Sequence, residues 1–347
     1  MRQDYDLAFI LKYENVAWYE GGTVKILDRR IYPTRVKFVN CSKHEEVAQA
    51  LTDMVTQSAG PYTATGMGMA LAAYECRHLS INNQKAFLKT AAYKFVNARP
   101  TTASRIKLIV NRCLKVAEKA LNENKKVDEA IFHDTIASLN RRYARMEQVA
   151  KYLVDMFPQD GNIMTQCFGE TIVGMMLRET KKRHKNIKLF VPETRPYLQG
   201  ARLTSSVSID QGIDTTVITD NMVAHTMKEK QIALFTSAAD SICLDGNIVN
   251  KVGTFQIAIV AKHFGIPYFV TGIPDNTTLD KVTIEERNPL MVLECHGIRH
   301  TKENVKGYYP AFDITPPHLI SGIVTDKGIF SAYDLNRYFE TDVKEFY

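Results

Sequence analysis

Between residues 161 and 271 the chain alternates short apolar runs with stretches long enough for one helix each, and few folds accept that pattern. The runs are Ile163 to Thr165, Ile187 to Val191, Thr215 to Thr219, Ile232 to Thr236 and Pro267 to Thr271. Strands separated by a helix form βαβ units, and these require a parallel sheet with helices on both faces. In open sheets of that kind, ligands bind beyond the carboxyl ends of the strands. The polar residues that follow each run are therefore the first candidates for a site.

The part before Gly161 reads differently. Val16 to Tyr19 and Thr23 to Leu27 flank Gly21-Gly22 as a hairpin, and Val36 to Val39 follows as a third strand. Ser42, with Glu45 three residues on, is a capping-box start for over a hundred helical residues. The periodicity predicts helices over Lys43 to Gln57, Thr65 to His78, Asn82 to Asn97, Ala103 to Asn122 and about Asp128 to Met156. Phe157-Pro158-Gln159-Asp160-Gly161 stops the last of them. The expectation is an α/β chain of two domains, as 347 residues suggest. Residues 1–158 would form a mainly helical domain with a small β-hairpin region, and 159–347 a Rossmann-like parallel-sheet domain.

The strand ends are chemically dense. The first delivers Gln166-Cys167, the second Glu193-Thr194-Arg195 with Gln199 behind, the third Asp220-Asn221 and the fourth Asp240. Asp245-Gly246-Asn247 then turns the chain toward Asn250-Lys251 and Gly253, at an expected helix start. Each residue has a plainer reading. Asp240 suits an N-cap, and Lys251 and Arg195 can reach away into water. A cation near a helix N-terminus nevertheless opposes the macrodipole, a conflict that a bound phosphate removes. Five of the six cysteines read as small buried hydrophobes. Cys167, between a strand end and an expected helix start at Gly169, is placed for the dipole to depress its thiol pKa.

Several classes are set aside. The scattered cysteines form no C-x-x-C pair and the histidines show no ligand spacing, so neither disulfides nor a metal is expected. Gly66-Met67-Gly68-Met69-Ala70-Leu71 lacks the third glycine of a dinucleotide fingerprint and follows no strand, so no nucleotide cofactor is expected. Lys and Arg outnumber Asp and Glu by 44 to 38, with much of the excess in Lys181 to Lys185. No nucleic-acid motif accompanies that run. An acidic N-terminus and the absence of a long apolar stretch predict a cytoplasmic protein without membrane partners.

Specific strings complete the reading. Glu193-Thr194-Arg195-Pro196-Tyr197-Leu198-Gln199-Gly200-Ala201-Arg202-Leu203-Thr204 resembles a signature of the methylthioribose-1-phosphate isomerase family. Thr219-Asp220-Asn221-Met222, Ala239-Asp240, Asn250-Lys251-Val252-Gly253-Thr254, Ile284-Glu285-Glu286-Arg287 and Pro310-Ala311-Phe312-Asp313-Ile314-Thr315-Pro316 are similar to further family segments. So are the N-terminal hairpin and Ala98-Arg99-Pro100-Thr101.

The resemblance implies an isomerase that turns a 5-substituted ribose 1-phosphate into the ribulose 1-phosphate, without a cofactor and as a homodimer. Cys167 and Asp240 fall on its catalytic pair, with Asp240 held protonated by an apolar setting and Cys167 acting as thiolate or polar stabiliser. Arg99, Gln199, Asn250 and Lys251 fall on substrate-binding positions. Regulatory relatives in translation initiation typically lack the Cys and Asp pair, so its presence here argues for an enzyme; a non-catalytic sugar-phosphate or nucleotide sensor is the alternative.

Two departures bear on the substrate. The family usually has Arg-Gly-Ala where this chain has Tyr62-Thr63-Ala64, and Arg where it has Ser241. Tyr62, Thr63 and Ala64 are thus expected to form a rebuilt phosphate pocket, and Met67 and Met69 to wall an apolar 5-substituent such as that of 5-deoxyribose 1-phosphate.

Overall fold

The computed structural model describes residues 2–99 and 103–340. The chain divides into two compact units, one ending at Ala144 and one beginning at Arg145. The division lies inside the helix Val127–Asp155 rather than after it. The last turns of that helix carry Glu147, 3.4 Å from Arg178, and Arg145, 3.6 Å from Asp326. Their ion pairs therefore belong to the sheet-bearing unit.

In the first unit β1 (Ala17–Glu20), β2 (Thr23–Leu27) and β3 (Phe38–Cys41) form an antiparallel sheet in that order. The helix His44–Thr52 follows, with its cap one residue later than expected: the Glu46 carboxylate accepts the Ser42 and Lys43 amides at 2.6 and 3.1 Å. The helix Gly60–Cys76 begins well before Thr65, because Pro61 in its first turn presets a helical φ. Every residue of it except Tyr74 and Glu75 is buried, as befits a helix with no polar face. Ile81–Asn97 and Ala103–Asn122 complete the helical layer. Ala103–Asn122 is amphipathic, burying Ile106, Ile109, Val110, Cys113 and Ala117.

Gly66 and Gly68 serve this packing. A Cβ on Gly66 would lie 2.6 Å from the Thr135 hydroxyl, and one on Gly68 2.5 Å from the Phe95 ring. Met67 and Met69 are completely buried beside them, which is core packing.

The second unit holds a seven-stranded sheet. Its strands are β4 (Asp160–Thr165), β5 (Asn186–Pro192), β6 (Thr215–Ile218), β7 (Ile232–Ala238), β10 (Tyr268–Thr271), β14 (Gly322–Thr325) and β15 (Gly328–Phe330). The order is β15-β14-β10-β7-β4-β5-β6, parallel except for the edge strand β15. From β4 the chain winds outward through β5 to β6, then returns to place β7 on the other side of β4.

A two-stranded antiparallel ribbon, β11 (Glu294–Cys295) and β12 (Ile298–Arg299), and a small antiparallel sheet were not foreseen. The small sheet orders β13 (Phe312–Thr315), β9 (Ile248–Lys251) and β8 (Ser241–Ile242). Asn250 and Lys251 therefore stand on a strand, opposite Asp313 and Phe312, rather than at a helix start.

The contact at Gly66 gives a stability test. Gly66→Val should lower stability by about 1–3 kcal/mol in urea denaturation, and Thr135→Ala in the same chain should restore part of the loss. An unchanged midpoint for Gly66→Val would show that this packing does not matter.

Candidate active site

The strand order reverses between β4 and β7, and in parallel sheets the crevice opens at such a point. β4 hands over to Gln166 and Cys167. Cys167 has a φ of 58°, a left-handed conformation costly for a residue with a Cβ, and its carbonyl accepts the Thr204 hydroxyl. Glu170, Thr194 and Leu198, in the loops after β4 and β5, also have positive φ, at 48°, 64° and 56°. Such backbone persists only where the surroundings over-determine it. Asp220 supplies part of the restraint, its carboxylate accepting the Thr194 and Arg195 amides at 2.8 and 2.7 Å.

Gly200 supplies more. A Cβ there would sit 1.9 Å from the Pro192 carbonyl oxygen, so only glycine lets the chain turn back over the end of β5. Gln199, next to it, is 6% exposed, and its Oε1 is buried with no hydrogen-bond partner among the described residues. A buried amide oxygen left unsatisfied is costly, and a ligand donor removes that cost.

β9 brings the strongest charge. Lys251 is 4% exposed, and its Nζ lies 2.5 Å from the Tyr309 hydroxyl, 4.7 Å from that ring's centre and 5.8 Å from the Tyr197 ring. Arg287 faces the same cluster, 5.7 Å from Tyr197 and 5.6 Å from Phe312. Aromatic faces attract both cations without neutralising them. Burial, with a smaller push from Arg287, lowers the Lys251 ammonium to about 8, while Cys167, Asp240 and Asp220 act the other way.

Cys167 reverses the expectation drawn from its position. Burial pushes its thiol up to about 12; the Lys251 cation opposes this and the Asp240 charge adds to it. The next helix starts only at Thr171, two residues later than expected. Cys113, in the helical core, is raised by burial to about 12 as well. Cys167 is therefore singled out by its charged neighbours and its place at the end of β4, with only partial access to solvent, and not by acidity. Asp240 is exposed, its amide bonded to the Val249 carbonyl at 2.9 Å. The apolar setting expected for it is absent.

Other expected roles also change. The Arg195 guanidinium donates to the Met291 and Glu294 carbonyls at 3.2 and 2.8 Å, so it braces a loop rather than an anion. The start of the helix Thr254–His263 is capped by Asp313, which accepts the Gly253 amide at 2.6 Å and the Phe255 amide at 3.2 Å. Burial raises the Asp313 carboxyl to about 6 against the pull of those amides. Asn250 is buried and donates to the Thr254 hydroxyl at 3.0 Å.

Tyr62, Thr63, Ala64 and Arg99 belong to the helical unit. Tyr62 and Thr63 are 8% and 1% exposed and line a cleft, whereas Ala64 is fully buried. Arg99 is half-buried just beyond the helix Ile81–Asn97, and Pro100-Thr101 lies outside the described residues. Tyr197, Arg287 and Tyr309 were not marked as site residues by sequence. Tyr197 and Arg287 sit within the quoted strings, but only the fold brings their rings and charges to Lys251.

A model of the initiation factor 2 subunit family matches residues 57–332. The chain is 33% identical over 335 residues to a methylthioribose-1-phosphate isomerase of Bacillus pumilus, covering 92% of this chain and 93% of that protein. Among solved structures it is similar to the 5-methylthioribose 1-phosphate isomerase of Pyrococcus horikoshii, with a TM-score of 0.82 and 29% identity over 94% of this chain and 96% of that one. It is also similar to the translation initiation factor eIF-2B, subunit delta, from A. fulgidus, with a TM-score of 0.81 and 27% identity over 94% and 99%.

The buried lysine yields a pH test. Between its folded value of about 8 and its ordinary 10.5, Lys251 binds more protons unfolded than folded, so its contribution makes stability rise with pH across that window. Lys251→Met should be more stable than the parent at pH 7 by about 1–3 kcal/mol. Urea denaturation should show this advantage shrinking between pH 8 and 10.5, and a constant difference would contradict a desolvated cation.

Proposed function

The chain belongs to the initiation factor 2 subunit family, and on that premise we propose that it isomerises a 5-substituted ribose 1-phosphate to the corresponding ribulose 1-phosphate. The observation that carries this is the grouping of Cys167, Asp240 and buried Lys251 where the strand order reverses, with the unsatisfied Gln199 oxygen on the loop after β5. The relatives named methylthioribose-1-phosphate isomerase support it at about one-third identity over nearly the whole chain. Counted in chain order, the six parallel strands lie 3-2-1-4-5-6, which supports reading the sheet as Rossmann-like.

The chemistry needs a ring opened without loss of phosphate, then a hydrogen moved from C2 to C1. Asp240 is assigned to the ring oxygen as acid, the substrate itself supplying the cover that its exposed position lacks. Cys167 acts at C1 and C2 as a neutral thiol that donates a hydrogen bond to developing negative charge, and the Asp240 carboxylate left by ring opening takes up the proton released on the C2 side as the ketone forms, which restores the acid. Lys251 and the open Gln199 oxygen orient the sugar phosphate, with Asn250 beside them. Tyr62, Thr63, Ala64 and Arg99 are the substrate positions assigned to the helical unit, Ala64 through its backbone alone. The 5-substituent is apolar, as in 5-methylthioribose or 5-deoxyribose 1-phosphate, and the enzyme works in the cytoplasm as a homodimer. No described helix is long and apolar enough to cross a membrane.

The likeness to the A. fulgidus protein favours a second reading, a non-catalytic sugar-phosphate or nucleotide sensor. Turnover separates the two. Incubation with 5-methylthioribose 1-phosphate should give the ketose by NMR, and Cys167→Ala and Asp240→Asn should each lower turnover at least about a hundredfold with the fold intact. Wild-type turnover in either variant removes that residue from the mechanism, and no ketose in the wild type favours the sensor. Activity should also survive exhaustive chelation; recovery only on adding a divalent ion would overturn this mechanism.

A further inference from the structure

A charged cleft lies within the helical unit. Its enclosed part is small, about 20 Å³, and widens to an open mouth; it is lined among others by Tyr62, Thr63, Arg112, Asp134, Ser138 and Arg142. Its two arginines are in opposite situations. Arg112 is neutralised by Asp134 through two parallel bonds of 2.7 and 2.8 Å. Arg142, from the long helix, is only 6% exposed. Its Nη2 donates to the Thr63 hydroxyl at 3.2 Å, and its guanidinium carbon lies 5.9 Å from the centre of the Tyr62 ring. Among the described residues no carboxylate comes within ion-pairing range of it. A hydroxyl and a ring leave the charge in place, and one bond to Thr63 leaves most of the five guanidinium N–H donors uncommitted.

Buried charges are ordinarily paired, because desolvating an unpaired one is expensive. The first turn of Gly60–Cys76, on which Tyr62 and Thr63 stand, contains no acidic residue and adds the positive end of a helix dipole. We propose that Arg142, with the Thr63 hydroxyl, binds the phosphoryl group of a phosphate monoester in this cleft. A planar fork of donors matches two phosphate oxygens at once, which a lysine cannot do. Arg142 thereby supplies from the long helix the cation that the sequence lacks at Tyr62. The assignment rests on the reading of Thr63 as a substrate position, and it adds a specificity-determining residue outside every string that carried the family resemblance.

Two readouts test it on the full chain: calorimetric titration with inorganic phosphate at fixed ionic strength, and kinetics with 5-methylthioribose 1-phosphate. Arg142→Met should weaken phosphate binding and raise KM by about ten- to a hundredfold, the range for hydrogen bonds to a charged group, with kcat changed far less. Arg142→Lys should lie between the two, and Tyr62→Arg placed in the Arg142→Met chain should recover part of the loss. Thr63→Val keeps the volume, removes the hydroxyl, and should also weaken phosphate binding, which covers the case in which Arg142→Met fails to fold. Unchanged phosphate affinity and KM in Arg142→Lys and Thr63→Val would overturn the assignment while leaving the isomerase reading intact. Phosphate binding that depends on Arg142, in a chain that makes no ketose, would keep the assignment and overturn the isomerase reading.

Discussion

The crevice where the sheet reverses its order is the constraint on which the sheet-bearing unit's chemistry depends. Because β5 and β7 lie on opposite sides of β4, the connections leaving β4 and β7 diverge, and the backbone between them is left open at the carboxyl end. Cys167 and Asp240 stand at those two exits. The small sheet β8-β9-β13 then carries Asn250 and Lys251 to the same end, and Asp313, paired with Asn250, caps the helix that follows.

Desolvation sets the protonation states at this crevice. It drives the Lys251 ammonium down to about 8, the Cys167 thiol up to about 12 and the Asp313 carboxyl up to about 6, each toward its neutral form. Charge pairing opposes it only in part, since Tyr197 and Tyr309 offer ring faces and a hydroxyl to Lys251 rather than a carboxylate. A site of this kind is destabilised while empty, and it regains that energy when an anionic substrate arrives. The left-handed backbone at Cys167 and Thr194 adds a second cost, held in place by Thr204, Asp220 and the absent side chain of Gly200.

Much of this was legible in the sequence. The spacing of apolar runs located β4, β5, β6, β7 and β10 within a few residues, because buried parallel strands are short and uninterrupted. The strand-end rule marked Cys167, Asp240, Gln199 and Lys251 before any coordinates. Periodicity could not show that β9 pairs with β13 across sixty-odd positions, since that is a long-range contact. It also missed that Asp313 rather than a ligand satisfies the Gly253 amide, and that Arg195 turns to the Met291 and Glu294 carbonyls. The thiol went wrong for a related reason. Sequence placed Cys167 near a helix start, but the burial that raises its thiol is visible only in three dimensions.

Burial, not a helix dipole, fixes the state of Cys167 beside a poised lysine. This is tested most directly by the pH dependence of alkylation at Cys167 in a chain whose other cysteines are replaced by alanine. With the thiol near 12, alkylation in the ligand-free protein should stay slow through neutral pH and accelerate only above the ordinary thiol value of 9.0. A half-maximal rate below pH 8 would mean that Cys167 is a stabilised thiolate, and would contradict the account.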